Sequence, residues 1–478
     1  MLAYISGPMT TPEPSKSALD KLLNVRQHAI VMMRLAIPIV MARAGWMFMS
    51  FVDILMVGRF NTLELAYMSL ASIMISVAYV TMMGMMLGTL VTTSNLFGQR
   101  RYSEIGAVWQ RSIPYAFALG LVILGITLFS EPILLFAGQD AAIAEKAGEV
   151  MRIYGYGMPL GGLVFVTCQY FLEGIKRPLP AMLLMLVANV INVAFNWVLI
   201  FGHLGFDALG AAGSAWSTTI IRMLLAAGLI TYILTMHDAD KFGLRKAYTG
   251  GFKRWAEQRR IGYAAGLSFG IEHMAFVLLF MFAGMLGTLE LAAVTIVFNA
   301  FGLCFMVASG IANAAAVQVG IAYGQQSARD MAIAGWTGCG LQLVILSLPA
   351  ILMITTPSIF ARIYSDDPAL VAIALPIYVL GGIALLMDTT QTLWSNVLRA
   401  RHDKWFATIS HFGCYMLLMV PLAWHLAFTL GRNGEGLFEA LIAASVISVS
   451  LLTARFVYLC NKDARLELAE GSVHEQKI

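Results

Sequence analysis

Read for hydrophobicity alone, the chain runs as long apolar stretches separated by short polar breaks. Twelve stretches are long enough to cross a bilayer, which takes about 20 residues of helix: 33–57, 65–96, 107–129, 150–173, 179–202, 211–235, 262–285, 291–322, 332–354, 370–397, 406–430 and 436–460. The alternate-residue pattern of an outer-membrane barrel is absent. A helix is then the element that satisfies its own backbone in lipid, and each stretch is predicted to be one. The fold class expected is all-α and polytopic, with about 12 transmembrane helices.

The pattern also repeats. Thr62-Leu63-Glu64-Leu65-Ala66 recurs as Thr288-Leu289-Glu290-Leu291-Ala292, 226 positions on. The same ungapped offset carries Gly58 onto Gly284, Gly84 onto Gly310 and Gly98-Gln99 onto Gly324-Gln325. Six helices per copy is an even number, so both copies enter the membrane in the same direction. This predicts two six-helix bundles in a parallel repeat about an axis along the membrane normal, as in transporters whose halves rock about a central site.

Composition agrees with a lipid solvent: 59% of residues are hydrophobic and 12% charged, and mean hydropathy is +0.77. A soluble domain carries about 25% charged residues. Lys and Arg gather in alternate loops, above all at Lys241, Arg245, Lys246, Lys253, Arg254, Arg259 and Arg260. The positive-inside rule places those loops and both termini in the cytoplasm. The organisation expected is a flexible cytoplasmic tail at 1–29, an N-terminal lobe at 30–236 and a basic linker at 237–261. A C-terminal lobe at 262–462 and a cytoplasmic tail at 463–478 complete it.

Topology accounts for the net charge of +4, so no nucleic-acid partner is implied. The N-terminal segment has no apolar run and reads as a tail, not a signal peptide. The five cysteines are isolated, without metal-type spacing. No GxxxxGK[ST] motif is present, which favours an ion gradient over ATP as the energy source.

Three acids fall inside predicted spans: Asp53, Glu272 and Asp388. Each costs about 2.5–3.5 kcal/mol at the bilayer centre on insertion scales, so an intramembrane acid points to function. Asn189, Asn192 and Asn196 form one polar stripe on the fifth span, and Asp388, Gln391 and Ser395 repeat that spacing on the tenth. Carboxamides there serve a hard cation or a proton-bearing carboxylate equally. His273 points away from Glu272 and reads as a core residue. Arg43 lies about 15 Å along the helix from Asp53. Arg222, in the sixth span, either neutralises an acid or binds an anion. Aromatic rings at Trp46, Phe276 and Trp394 are candidates for stacking on organic ligands.

The stretch from Phe51 to Arg59 (FVDILMVGR) with Leu65-Ala66, and the stretch Asn192 to Gly202 (NVAFNWVLIFG) with Gly210-Ala211-Ala212-Gly213, resemble the multidrug and toxic compound extrusion (MATE) family. The resemblance runs from about residue 30 to 460 and is greatest to its bacterial norfloxacin-exporter (NorM-like) branch. It implies a non-enzymatic secondary antiporter that exports lipophilic or cationic organic compounds by alternating access of two lobes. The coupling cation would be H⁺ or Na⁺, with no cofactor. The bacterial inner membrane, drug-like organic cations and membrane lipid as partners, and a self-sufficient monomer follow from it.

The family's cation-coupling positions map onto Asp53, Asn192, Asn196, Ser214, Glu272 and Asp388. Candidate Na⁺ sites are Asp53/Asn192/Asn196 and Glu272/Asp388. Candidate substrate contacts are Trp46, Asn189, Phe276, Gln391 and Trp394. Some relatives carry a tyrosine one turn before the tenth-span acid; here that position is Ala384, so a sodium site relying on that hydroxyl lacks it. Two other readings stand beside this one. A flippase for a lipid-linked precursor would use the arginines, and a non-transporting scaffold would have no need of the acids.

Overall fold

The computed structural model describes residues 18–246, 248 and 250–475. Among them the twelve expected spans all form helices, and no strand occurs. We number the spans α1 (Ala18–Phe60), α2 (Thr62–Gly98, with a turn at Met86), α3 (Ile105–Leu128), α4 (Ala141–Gly157 and Leu163–Gly174, joined by a π turn), α5 (Leu179–Phe201) and α6 (Gly210–Thr235). The second half holds α7 (Ala256–Leu286), α8 (Thr288–Gly324), α9 (Ala328–Thr355), α10 (Pro368–Ala400), α11 (Phe406–Thr429) and α12 (Asn433–Glu475).

Eleven of these are apolar and long enough to cross a bilayer. The exception is α4, where Gly155, Gly157, Pro159, Gly161 and Gly162 dilute the hydropathy and the π turn Met158–Gly162 interrupts the ladder. Glycine and proline are tolerated there because neighbouring helices enclose the backbone. From Leu163 to Gly174 every residue is buried.

Helix ends depart from expectation in three places. α1 begins at Ala18, so 18–29 is helical where a tail was expected; residues 1–17 lie outside the described residues. α12 runs on to Glu475, beyond the expected lobe end at 462, and residues 476–478 lie outside the described residues. The basic linker packs against its own lobe. Ala239, Phe242 and Leu244 are buried, Gly106 N donates to the Phe242 carbonyl at 2.7 Å, and Gln110 Nε2 donates to the Leu244 carbonyl at 2.8 Å. A polar connector needs backbone partners once it lies against helices, and α3 supplies them.

The repeat shows itself in reciprocal contacts between the lobes. A Cβ on Gly84 would lie 2.8 Å from Gly266 Cα, while its equivalent Gly310 is pressed against Val40, the equivalent of Gly266. Gly98 sits on the Ile321 carbonyl and Gly324 on the Asn95 carbonyl, again an exchanged pair under the 226-residue offset. Such mutual pairing is what a two-fold relation between lobes produces. Glycine is required because helix backbones approach too closely there for any side chain. All four contacts lie towards the end that carries the basic loops. The lobes are therefore locked together at that end, through α2 with α7 and α8, and α1 with α8.

Candidate functional site

Asp53 sits about two turns before the C-terminal end of α1 and is 6% exposed. The stripe on α5 delivers two amides to it: Asn196 Nδ2 donates to Oδ1 at 2.6 Å and Asn192 Nδ2 to the same oxygen at 3.1 Å. Helical phase explains the selection, since Val190 and Val193 on the opposite face are 73% and 42% exposed while both amides are fully buried. Thr218 Oγ1 of α6 donates to Oδ2 at 2.8 Å. Hydrogen bonds to a charged group contribute about 1.5–3 kcal/mol each. Three of them outweigh the roughly 2.5–3.5 kcal/mol cost of placing the carboxylate in the membrane.

Two expected members do not join. Ser214 is buried one turn before Thr218, and its hydroxyl has no partner among the described residues. Asn189 turns back to donate to the Met185 carbonyl of its own helix at 2.8 Å.

Asp53 opens on a cavity of about 260 Å³ lined by Trp46, Ser50, Ser72, Ser76, Tyr79, Tyr154, Thr218 and Arg222, among others. It lies between α1, α2, α4 and α6, further from the basic end than the glycine contacts. Trp46 and Tyr79 lie nearly parallel, 6.2 Å between centroids, and Phe165 also stacks with Trp46, at 6.1 Å. His273 is a link between lobes, its Nε2 2.9 Å from Ser76 Oγ.

The C-terminal lobe holds the other two acids. Gln391 Nε2 donates to Glu272 Oε1 at 3.1 Å. His411 of α11 lies 3.7 Å from Glu272 Oε2 and shares a 2.7 Å hydrogen bond with Ser268. Asp388 Oδ1 accepts from Tyr415 at 2.6 Å and Ser445 at 3.4 Å, while its buried Oδ2 has no partner among the described residues. The hydroxyl missing at Ala384 thus reaches Asp388 from α11 instead, through Tyr415. Phe276 packs at this locus, 6.4 Å from the Tyr415 ring and 5.7 Å from Phe298. Trp394 does not: it is a core residue wedged between Trp336 and Phe456, with centroids 5.1 and 4.6 Å away.

A polar thread joins the lobes near the basic end. Glu173, wholly buried, accepts from Gln169 at 2.9 Å and from Asn313 of α8 at 3.0 Å. Asn396 of α10 donates to Asn313 Oδ1 at 3.3 Å, and Arg399 donates to Asn396 and Ser395 at 3.2 and 3.1 Å. Arg43 lies within electrostatic reach of Glu173, and Arg399 of Glu272. Sequence reasoning missed Glu173 and Arg399. Glu173 closes an expected span next to Lys176-Arg177, and Arg399 stands beside Arg401 and Lys404 at a basic loop, so both read as water-facing. Tyr415, His411 and Ser445 carried no local signal.

The MatE family model matches the chain twice, at residues 38–198 and 264–425, once per lobe. A probable multidrug resistance protein NorM from Caulobacter vibrioides is 35% identical over 464 residues, covering 96% of this chain and 98% of that one. One of the same description from Mesorhizobium japonicum is 27% identical, covering 90% and 94%. Among solved structures, the eukaryotic MATE transporter AtDTX14 superposes with a TM-score of 0.84 at 19% identity, covering 92% of this chain and 98% of that one. An outward-facing multidrug resistance MATE transporter gives 0.81 at 16% identity, covering 92% and 97%. With the repeat, the two-lobe fold and the matched family model in agreement, the chain belongs to the MatE family of multidrug efflux transporters.

Proposed function

We propose that this transporter is an antiporter of a bacterial inner membrane, driven by inward proton movement, with both termini cytoplasmic. The observation that carries the proton assignment is the partner set of the acids. Asp53 is held by N–H and O–H donors, whereas a hard cation calls for a shell of oxygen acceptors. Asp388 keeps one buried oxygen without a partner, a position that a bound proton would occupy at low cost and a bare carboxylate would not.

In this conformation the lobes meet at the basic end, which the positive-inside rule makes cytoplasmic. The cavity beside Asp53 therefore faces outward. Protonation of Asp53 weakens its hold on Asn192, Asn196 and Thr218, which tie α1 to α5 and α6. The lobe equilibrium then shifts by the difference in proton affinity between the two states. A coupling of about 1–3 kcal/mol corresponds to a 5–150-fold change in affinity. Glu272 and Asp388 form the second acid locus, and Arg399 and His411 tune its charge.

Dye accumulation in cells tests both loci. Asp53→Asn and Asp388→Asn are each expected to raise intracellular dye to the level of cells without the transporter, at equal membrane expression. Wild-type extrusion by both variants would overturn the proposed coupling.

A further inference from the structure

Charges that the repeat matches at the end of α2 are left unmatched at the end of α8. Where α2 ends, Glu104 Oε1 and Oε2 accept from Arg101 Nε and Nη2 at 2.7 and 2.6 Å, and Gln99 Oε1 accepts from Arg101 Nη1 at 3.2 Å. His402, in contact with Asn95 of α2, has Glu257 Oε1 2.9 Å from its Nδ1, and Lys404 pairs with the same oxygen. Under the 226-residue offset, Asp330 is the equivalent of Glu104, Gln325 of Gln99 and Lys176 of His402. The backbone repeats with them: Lys176 and His402 are both left-handed, with φ of 61° and 67°. The partners do not repeat. Ser327 stands in place of Arg101, and Val31 in place of Glu257.

The residues left without partners share a cavity of about 260 Å³. Gln27, Val31 and Lys176 line it from the N-terminal lobe, and Gln318, Gln325 and Asp330 from the C-terminal lobe. Among the described residues neither Lys176 nor Asp330 forms an ion pair, so the two lie beyond salt-bridge distance of each other. Gln318 is 7% exposed, and its Nε2 donates to the His28 carbonyl at 3.4 Å, which leaves its carboxamide oxygen as a further acceptor.

A carboxylate with carboxamide oxygens beside it is the acceptor set that Arg101 fills in the other half, and a guanidinium carries the matching fork of N–H donors. Lys176 calls for the kind of carboxylate that Glu257 brings to His402 and Lys404. We propose that this cavity is a regulatory binding site for a small guanidino acid, with its guanidinium on Asp330 and its carboxylate on Lys176. Size agrees, since drug-sized ligands take pockets of about 300–1,000 Å³. The walls come from both lobes, so the site is complete only while the lobes meet at the basic end. A ligand that binds one state shifts the equilibrium towards it. Occupancy therefore holds the transporter in this conformation and slows export, on the alternating-access reading above.

The test is calorimetric titration of the purified protein with L-arginine, with agmatine, which lacks the carboxylate, and with L-citrulline, which lacks the guanidinium charge. Export from proteoliposomes with arginine on both sides follows. Wild type is expected to bind arginine at least about tenfold more tightly than either analogue, and arginine should slow its export. Lys176→Gln should bring the arginine-to-agmatine ratio to about one, and Asp330→Asn the arginine-to-citrulline ratio, with basal export unchanged in both. Val31→Glu supplies the missing carboxylate from within the chain. It should abolish the preference for arginine over agmatine while still binding agmatine, which shows an intact cavity. No arginine binding by wild type, equal affinities for the three compounds, or unchanged ratios in the variants would overturn the site. Binding in the expected ratios with export unslowed would overturn its regulatory role.

Discussion

At the scale of residues, the site depends on which side chains aim donors at a buried carboxylate. Thr218 donates to Asp53 and Ser214, one turn away, does not. Removing a donor to a buried charged group costs about 1.5–3 kcal/mol. Thr218→Ala should accordingly lower export severalfold or more, whereas Ser214→Ala should leave it near wild type; transport rates of the two at matched expression decide. In the other lobe Tyr415→Phe removes the short bond to Asp388 and should impair export, although the residue lies far from Asp388 in sequence. Trp394→Ala should act on stability alone. Truncating a fully buried Trp costs about 3–5 kcal/mol, to be read as a lowered melting temperature with ligand affinity unchanged. The acids and the α5 stripe were legible in the sequence because an acid in an apolar run, and amides one helical turn apart, are local patterns. Thr218, Tyr415 and Ser445 were not legible, because their role arises only when a second helix is laid beside the first.

At the scale of elements, helices carry the chemistry and their ends close the side that carries the basic loops. The loop after α10 places His402 between lobes: its Nδ1 lies 2.9 Å from Glu257 Oε1, its Nε2 meets Asn95 of α2, and its ring stacks on Tyr323 at 4.8 Å. Lys404 also pairs with Glu257. Burial pushes His402 below the ordinary imidazole value, against the opposing pull of Glu257. The sign follows from linkage. A depressed imidazole favours the closed clasp above its free value of about 6.5, and that contribution is lost as pH falls below it, since the open form binds the proton more readily. Protection from hydrogen exchange at the α10–α11 loop, measured against the intrinsic rate at each pH, should thus fall between pH 7.5 and 5.5 in wild type. The same change in His402→Gln, beyond the intrinsic chemical effect of pH, would rule the clasp out. Glu173 and Arg399 belong to this scale as well. They close helices beside basic loops, so their sequence neighbours suggest water, while packing against α8 and α7 removes it.

At the scale of the whole molecule, duplication supplies the two-lobe geometry and asymmetry sets where the charges lie. The repeated glycines were legible as a pattern, and the structure gives their cause: each fills a contact whose mirror is made by its copy. The acids do not follow the repeat, since Asp53 corresponds to Leu279 and Glu272 to Trp46. One lobe thus joins a single acid to an aromatic cavity with an arginine, while the other joins two acids to a histidine and a tyrosine. Eleven of the twelve spans meet the length and hydropathy that lipid imposes, which made them readable, and α4 kept enough apolar length to be read with them. The π turn in α4 was not readable, because only α6 lying against it gives that turn a purpose. This division of labour predicts that Asp53 couples the driving ion to the substrate beside it.

The most direct test is export by purified protein in proteoliposomes under a pH gradient or a Na⁺ gradient imposed separately, with wild type and Asp53→Asn. The account predicts movement under the pH gradient alone, abolished in Asp53→Asn. Movement under the Na⁺ gradient without a pH gradient, or full proton-driven movement by Asp53→Asn, would contradict it.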